Sequence, residues 1–130
     1  MAGFNSFEDL EIWQQSRLLT KKIYGITKNG DFARDYALRD QIRRSIISVM
    51  ANIAEGFYRD GNPEFIQFLS IAKGSAGETK SHVFVAFDVG YICEKEFEDF
   101  ISSLNEIINK TTALIKYLKN SNNKGFKHKQ

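Results

Sequence analysis

Residues 41–59, QIRRSIISVMANIAEGFYR, constrain the fold more than any other stretch of this chain. Ile42, Ile46, Val49, Met50, Ile53 and Phe57 recur at three- and four-residue steps and make one apolar helical face. Gln41, Arg44, Ser48, Asn52, Glu55 and Arg59 recur at the same steps and make a polar stripe roughly opposite. Ile47, Ala51 and Ala54 fall on a third, water-averse side. A plain surface helix has one apolar stripe and a broad charged back. Here the polar residues are squeezed between apolar flanks. The pattern predicts a helix covered on more than one side, with a hydrogen-bonded polar seam suited to an assembly interface or a site.

Three further helices are expected around it. The first spans about 7–27, with Phe7, Leu10, Trp13, Leu19, Ile23 and Ile26 inward and a capping box from Ser6 and Asp9. Asn29-Gly30-Asp31 ends it. The second spans 36–59, closed by the turn Asp60-Gly61-Asn62. Asn62 followed by Pro63 reads as the N-cap and first position of a third helix over 63–91. Phe65, Phe68, Leu69, Ala72, Ala76, Val83, Ala86 and Phe87 form its core face, and Ser70, Gly74, Gly77 and Ser81 a small-residue stripe on the other side. Each interior glycine costs about 1 kcal/mol relative to alanine. Two on one face point to close packing there, which makes this stripe the expected oligomer interface. The fourth helix spans 96–119, with Phe97, Phe100, Ile101, Leu104, Ile107, Ile108, Leu114 and Leu118 inward. Four long helices on short turns, without alternating strand patterns, read as an all-α, up-down-up-down antiparallel bundle over 1–119. The end, 120–130, is nearly devoid of apolar residues and is expected to be a disordered basic tail.

The net charge of +2 argues for no partner by itself, but its distribution is uneven. From Arg17 to Arg44 the chain holds Arg17, Lys21, Lys22, Lys28, Arg34, Arg39, Arg43 and Arg44 against Asp31, Asp35 and Asp40. Glu94, Glu96, Glu98, Asp99 and Glu106 make a later stretch acidic. Such asymmetry steers a polyanion or orders subunits in a ring. Arg17, Lys21, Lys22, Arg39 and Arg43 are the candidate nucleic-acid contacts, against the plainer reading of a solvated helix face. Cys93 is alone, so an intrachain disulfide is impossible, in keeping with a reducing cytoplasm. No signal peptide and no membrane-length apolar run are seen.

Other chemistry finds little support. Arg44, Asn52, Glu55 and Arg59, with Ser75 and Glu78 of the next helix, admit a catalytic reading with Glu55 and Glu78 as acid and base. The favoured reading is a buried ion-pair and hydrogen-bond network that fixes helix register and subunit contacts, in which an arginine stripped of its carboxylate would be costly. Glu78 and His82 are spaced for shared metal ligation, but the Glu-x-x-His pairs of a di-iron bundle are missing. Nucleophile elbows and phosphate loops are also missing, so no catalytic residue, metal or cofactor is expected.

The run RDQIRRSIISVMANIAEGFYRDGNPEFIQFLSIAKGSAGE resembles the signature of the 23S rRNA intervening-sequence proteins, also called the four-helix-bundle protein family. The matching residues are Gln41, Arg43, Arg44, Ser48, Asn52, Ile53, Ala54, Glu55, Gly56 and Arg59, continued by Glu64, Phe65, Phe68, Leu69, Ala72, Ser75 and Glu78. Leu10, Trp13 and Tyr24 resemble the family's first helix, and the likeness spans about 7–119. Two positions depart. Met50 stands where the family often has proline, and Asp31-Phe32-Ala33 where it often has Phe-Pro. The resemblance implies a bacterial protein without enzyme activity. Its relatives sit within inserted segments of ribosomal RNA genes, or serve as retroelement accessories whose pentameric ring binds nucleic acid and a reverse transcriptase. The expectation is therefore a ring-like homopentamer that binds RNA or DNA. The alternative is a protein-interaction module with no nucleic-acid contact.

Overall fold

The computed structural model describes residues 4–121; of the expected tail over 120–130, residues 122–130 lie outside them. All regular structure in the described residues is helical: a 3-10 turn Phe7–Asp9, then α1 (Glu11–Ile26), α2 (Gly30–Arg34), α3 (Tyr36–Phe57), α4 (Gly61–Asp88) and α5 (Glu94–Lys119). The four long helices pack as a bundle. None of the described helices is long and apolar enough to cross a membrane.

Local chemistry explains most boundaries. Asp35 caps α3 by accepting from the Leu38 amide at 3.1 Å. Cys93 caps α5, its sulfur accepting from the Glu96 amide while Glu96 accepts from the Cys93 amide at 2.9 Å. Gly61 and Gly90 take φ values of 77° and 83°, a left-handed conformation that glycine alone adopts without a steric cost, and both stand at chain reversals.

Four details differ from the sequence expectation. Residues 7–9 form a separate 3-10 turn, and extended Leu10 sets it apart from α1. Ser6 caps that turn with Glu8, not Asp9. The segment after Asn29-Gly30 is a short helix, not a bare turn; it drives Phe32 into the core, stacked on Tyr91 at 4.9 Å. Helix α4 begins at Gly61, so Asn62 is not its N-cap. Asn62 is buried in the first turn, and its Oδ1 has no hydrogen-bond partner among the described residues.

The core follows the periodicity closely. Ile42, Ile46, Val49, Ile53 and Phe57 of α3 meet Phe65, Leu69, Ala72, Ala76, Val83 and Ala86 of α4. Ile12, Leu19 and Ile23 of α1 and Phe100, Leu104, Ile107 and Leu118 of α5 complete it. Of the described glycines, Gly56 has the tightest surroundings: an added Cβ would stand 2.6 Å from the Phe68 Cβ. The expectation of close packing at Gly74 and Gly77 does not hold within the chain. Ser70, Gly74, Gly77 and Ser81 are exposed, and nothing lies within 4 Å of a Cβ at either glycine. They turn outward because Leu69, Ala72 and Ala76 occupy the inward face of the same turns.

Candidate nucleic-acid interface and polar seam

The polar seam divides into a half-buried centre and exposed ends. Ser48 of α3 meets Ser75 of α4 through their hydroxyls at 2.8 Å. Asn52 donates to the Ser48 carbonyl at 2.8 Å and to its Oγ at 3.0 Å. Behind them, the buried Thr79 hydroxyl reaches Ser45 Oγ at 2.7 Å and the Ser75 carbonyl at 2.8 Å. Ser45 and Thr79 were missed in the sequence because both fall within the apolar stripes of their helices. Their signal is that each is a small hydroxyl at an inward step, able to return its proton to its own helix.

The charged members lie at the surface of the single chain, not in a buried network. Gln41, Arg44, Glu55, Arg59 and Glu78 are all exposed. Glu55 pairs with Arg59 at 2.7 Å, with side chains 52% and 46% exposed, so the pair is worth about 0–1 kcal/mol and its loss strands no buried charge. The Glu78 carboxylate lies within hydrogen-bond distance of His82 Nε2, at 3.1 Å. Arg44 makes no ion pair among the described residues. Since Ser48 meets Ser75 and Ser45 meets Thr79, Glu78 stands level with Ser45. Glu55 is displaced by about ten residues, or about 15 Å of helix. The two carboxylates suggested as acid and base are therefore not brought together. Among the described residues no group of three or more His, Cys, Asp or Glu is placed to hold a metal ion.

The five candidate nucleic-acid residues are divided between the two edges of α1. Arg17 lies over the Trp13 ring at 5.7 Å, Arg43 over Tyr24 at 4.3 Å and Arg39 over Tyr36 at 4.7 Å. Arg43 is held from a second side, because its Nε donates to Thr27 Oγ1 at 2.8 Å. Thr27 is buried and passes its own proton to the Ile23 carbonyl at 2.7 Å. Arg39 donates to the Ala33 carbonyl and to Asp40. Lys21 borders a shallow recess with Gln14, Arg17 and Leu18 on the outer side of α1. Lys22 points elsewhere: it lines the α1–α5 groove with Glu96, Asp99 and Glu106. Three residues of the acidic stretch, Glu96, Asp99 and Glu106, thus face the opposite edge of α1 from the arginine–aromatic pairs. These aromatic partners were the unread part of the pattern. Trp13 and Arg17 stand four residues apart, a spacing that places them on one helix face.

The bundle is closed at the α1–α5 edge by Lys110, which donates to Glu11 at 2.6 Å and pairs with Glu106 at 2.9 Å. The Lys110 hydrogen bond and charge, with a bond from Gln15, hold the Glu106 carboxyl below its ordinary range. Hydrogen bonds to Glu11 and then Glu106 raise the Lys110 ammonium pKa. At the bundle end, Tyr91 donates to Asp35 at 2.8 Å, and that bond, with burial, pushes the phenol pKa up.

Fold and surface together define a helical-bundle domain with a hydroxyl-lined seam and a cationic, aromatic-rich edge. The chain belongs to the family described as 23S rRNA-intervening sequence protein, whose model matches residues 8–113. It is similar to a crystal structure from Bacteroides thetaiotaomicron VPI-5482, described as a protein with unknown function from the S23 ribosomal protein family. The two share 26% identity and a TM-score of 0.74, over 81% of this chain and 98% of that one. No curated protein matches the chain significantly.

Proposed function

We propose that this protein is a non-enzymatic, oligomeric bundle that acts as an accessory or scaffold and binds RNA or DNA through basic surfaces, in a bacterial cytoplasm. The observation that carries the reading is the strip on which Arg17, Arg39 and Arg43 are each held against an aromatic ring. Fixed guanidinium groups on one edge suit a phosphate backbone, and repeated around an assembly they add up. The family description, which concerns intervening sequences of 23S rRNA, agrees with it.

Two structural proposals accompany this. The helices run up-down-up-down, in support of which Ser45 meets Thr79 while Ser48 meets Ser75, as antiparallel neighbours do. Copies assemble into a ring, most simply the homopentamer implied by the family resemblance. The exposed stripe of Ser70, Gly74, Gly77 and Ser81 would be its contact surface. Beside it Ile71, Phe84 and Val85 are 46%, 45% and 44% exposed, more apolar surface than a solvated helix needs. The same surface favours a second reading, in which it receives another protein, such as a reverse transcriptase, and nucleic acid is not touched.

Titration against structured RNA and duplex DNA at two salt concentrations, with light scattering in parallel, tests these readings. Binding that weakens steeply with salt in an oligomer is the expected result. A monomer near 14.9 kDa would end the ring proposal. An intact oligomer that binds neither nucleic acid at low salt would favour the protein-partner reading. Gly74→Leu should leave the chain folded, since nothing of its own lies near, yet break the assembly.

A further inference from the structure

Charge alone does not account for the edge between α1 and α3. Arg34, Arg59, Lys95 and Lys110 each lie beside a carboxylate, and on the edge itself Arg39 lies beside Asp40. Arg17 and Arg43 have none among the described residues and stand instead against rings. A chain of this size holds about two cation–π pairs; the described residues hold four, Arg59 over Phe68 and three along this one edge. Stacking on a ring fixes the guanidinium plane and leaves its N–H edges free. For Arg43 this is especially clear. Its Nε is engaged by Thr27, and its two terminal nitrogens make no hydrogen bond among the described residues. The rings are not used up either, since Tyr24 remains 37% and Tyr36 63% exposed.

Fixed donors beside available ring surface match one kind of polyanion better than another. A duplex offers phosphates to the donors but keeps its base faces inside the stack. An unpaired strand offers both, and base-on-aromatic stacking beside a cationic track is how sequence-tolerant single-strand binders work. The layout agrees. Arg39 and Arg43 are one turn apart on α3, and Tyr24, Lys21 and Arg17 follow at three- and four-residue steps on α1. The points of contact therefore succeed one another along about 20–30 Å of helix, as a narrow line that a flexible strand can follow.

We propose that the Tyr36–Arg39–Arg43–Tyr24–Arg17–Trp13 edge binds single-stranded nucleic acid in preference to duplex, with arginines at the phosphates and tyrosine rings at the bases. This rests on the nucleic-acid reading above and gives it a substrate class. Because stacking carries part of the affinity, that part survives salt, whereas phosphate contacts do not.

The test is an anisotropy titration of the full chain with labelled oligouridylate, oligothymidylate and a mixed-sequence duplex, at low and high salt. Both single strands should bind more tightly than the duplex, with the gap widening at high salt. Tyr36→Leu and Tyr24→Leu should each weaken single-strand binding about tenfold at unchanged charge and leave duplex binding alone. Tyr36 is exposed enough that its replacement does not threaten folding. Arg43→Lys, which keeps the charge but loses the planar stack, should reproduce part of the loss. A preference for one of the two strands would show whether the 2′-hydroxyl is read. Equal affinity for strand and duplex, or tyrosine variants indistinguishable from the parent, would overturn this proposal and leave general nucleic-acid binding standing. Failure of all three probes to bind at low salt would remove that broader reading as well.

Discussion

The α3–α4 seam and the α1–α5 seam belong to one bundle and are built by opposite means. Between α3 and α4 the backbones close on Gly56, with Phe65 and Phe68 pressed over it, and buried hydroxyls of Ser45 and Thr79 lock the register. Between α1 and α5 a groove of about 280 Å³ remains, lined by Leu19, Lys22, Gly25, Ile26 and Phe100 among others, and nothing lies within 4 Å of a Cβ on Gly25. That edge is latched by Lys110 between Glu11 and Glu106. The first seam is limited by shape and the second by charge. Shape leaves no slack for an added methyl, whereas a charged latch tolerates added atoms but responds to pH and salt.

The same substitution should therefore have opposite consequences at the two seams. Gly56→Ala is expected to have the largest effect on stability. Its Cβ would meet the Phe68 Cβ at 2.6 Å and Phe65 Cδ1 at 3.2 Å, and the first of these belongs to a side-chain root that cannot swing away. Overpacking of this kind costs about 1–3 kcal/mol. Urea denaturation reads it as a lower midpoint with an unchanged slope. A midpoint equal to the parent's would mean that the α3–α4 seam has slack, and the contrast between the seams would be lost.

Gly25→Ala should act in the other direction. The position is helical, its φ is not left-handed, and the new methyl meets nothing. Alanine restricts the unfolded chain and favours the helix, so a gain of at most about 1 kcal/mol is expected, reduced by its place in the last turn. A loss of stability would show that the groove closes further in solution than its walls suggest.

These two glycines mark the limit of what helical periodicity can tell. The inward residues of all four long helices were legible because apolar spacing of three and four residues has one meaning in a bundle. Small residues have two. Gly74 and Gly77 share a stripe and pointed to close packing, yet they face outward; Gly56, within the Asn-Ile-Ala-Glu-Gly run, is where the backbones meet. A wheel places residues on faces but does not say which face has a neighbour, because that depends on the other helices. The polar seam was half legible for the same reason. Ser48, Asn52 and Ser75 come together as spacing suggested. Arg44, Glu55, Arg59 and Glu78 have side chains long enough to reach water beyond the seam. The basic residues were visible individually, but their division between a ring-lined edge and an acidic groove required knowing where α3 and α5 lie about α1.

The smallest effect, and the sharpest on the second seam, concerns its latch. Lys110→Met keeps the length of the side chain and removes the charge. The sign follows from the two directions of shift. Glu106 is held below its ordinary value of 4.5, so its contribution is present above that pH and is lost as the carboxylate is protonated on acidification. Lys110 is raised above its ordinary value of 10.5, so its contribution is present below that pH and is lost as the ammonium deprotonates on further alkalinisation. The difference in melting temperature between the parent and Lys110→Met should therefore be greatest on the plateau between these limits. It should shrink on both sides and with added salt, since Lys110 is partly and its partners largely exposed. Gly56→Ala, by contrast, should keep its deficit at every pH across that plateau. If Lys110→Met instead matched the parent at every pH and salt concentration, the latch would be the packed stem, which methionine keeps, and not the charge. The two seams would then differ in tightness alone.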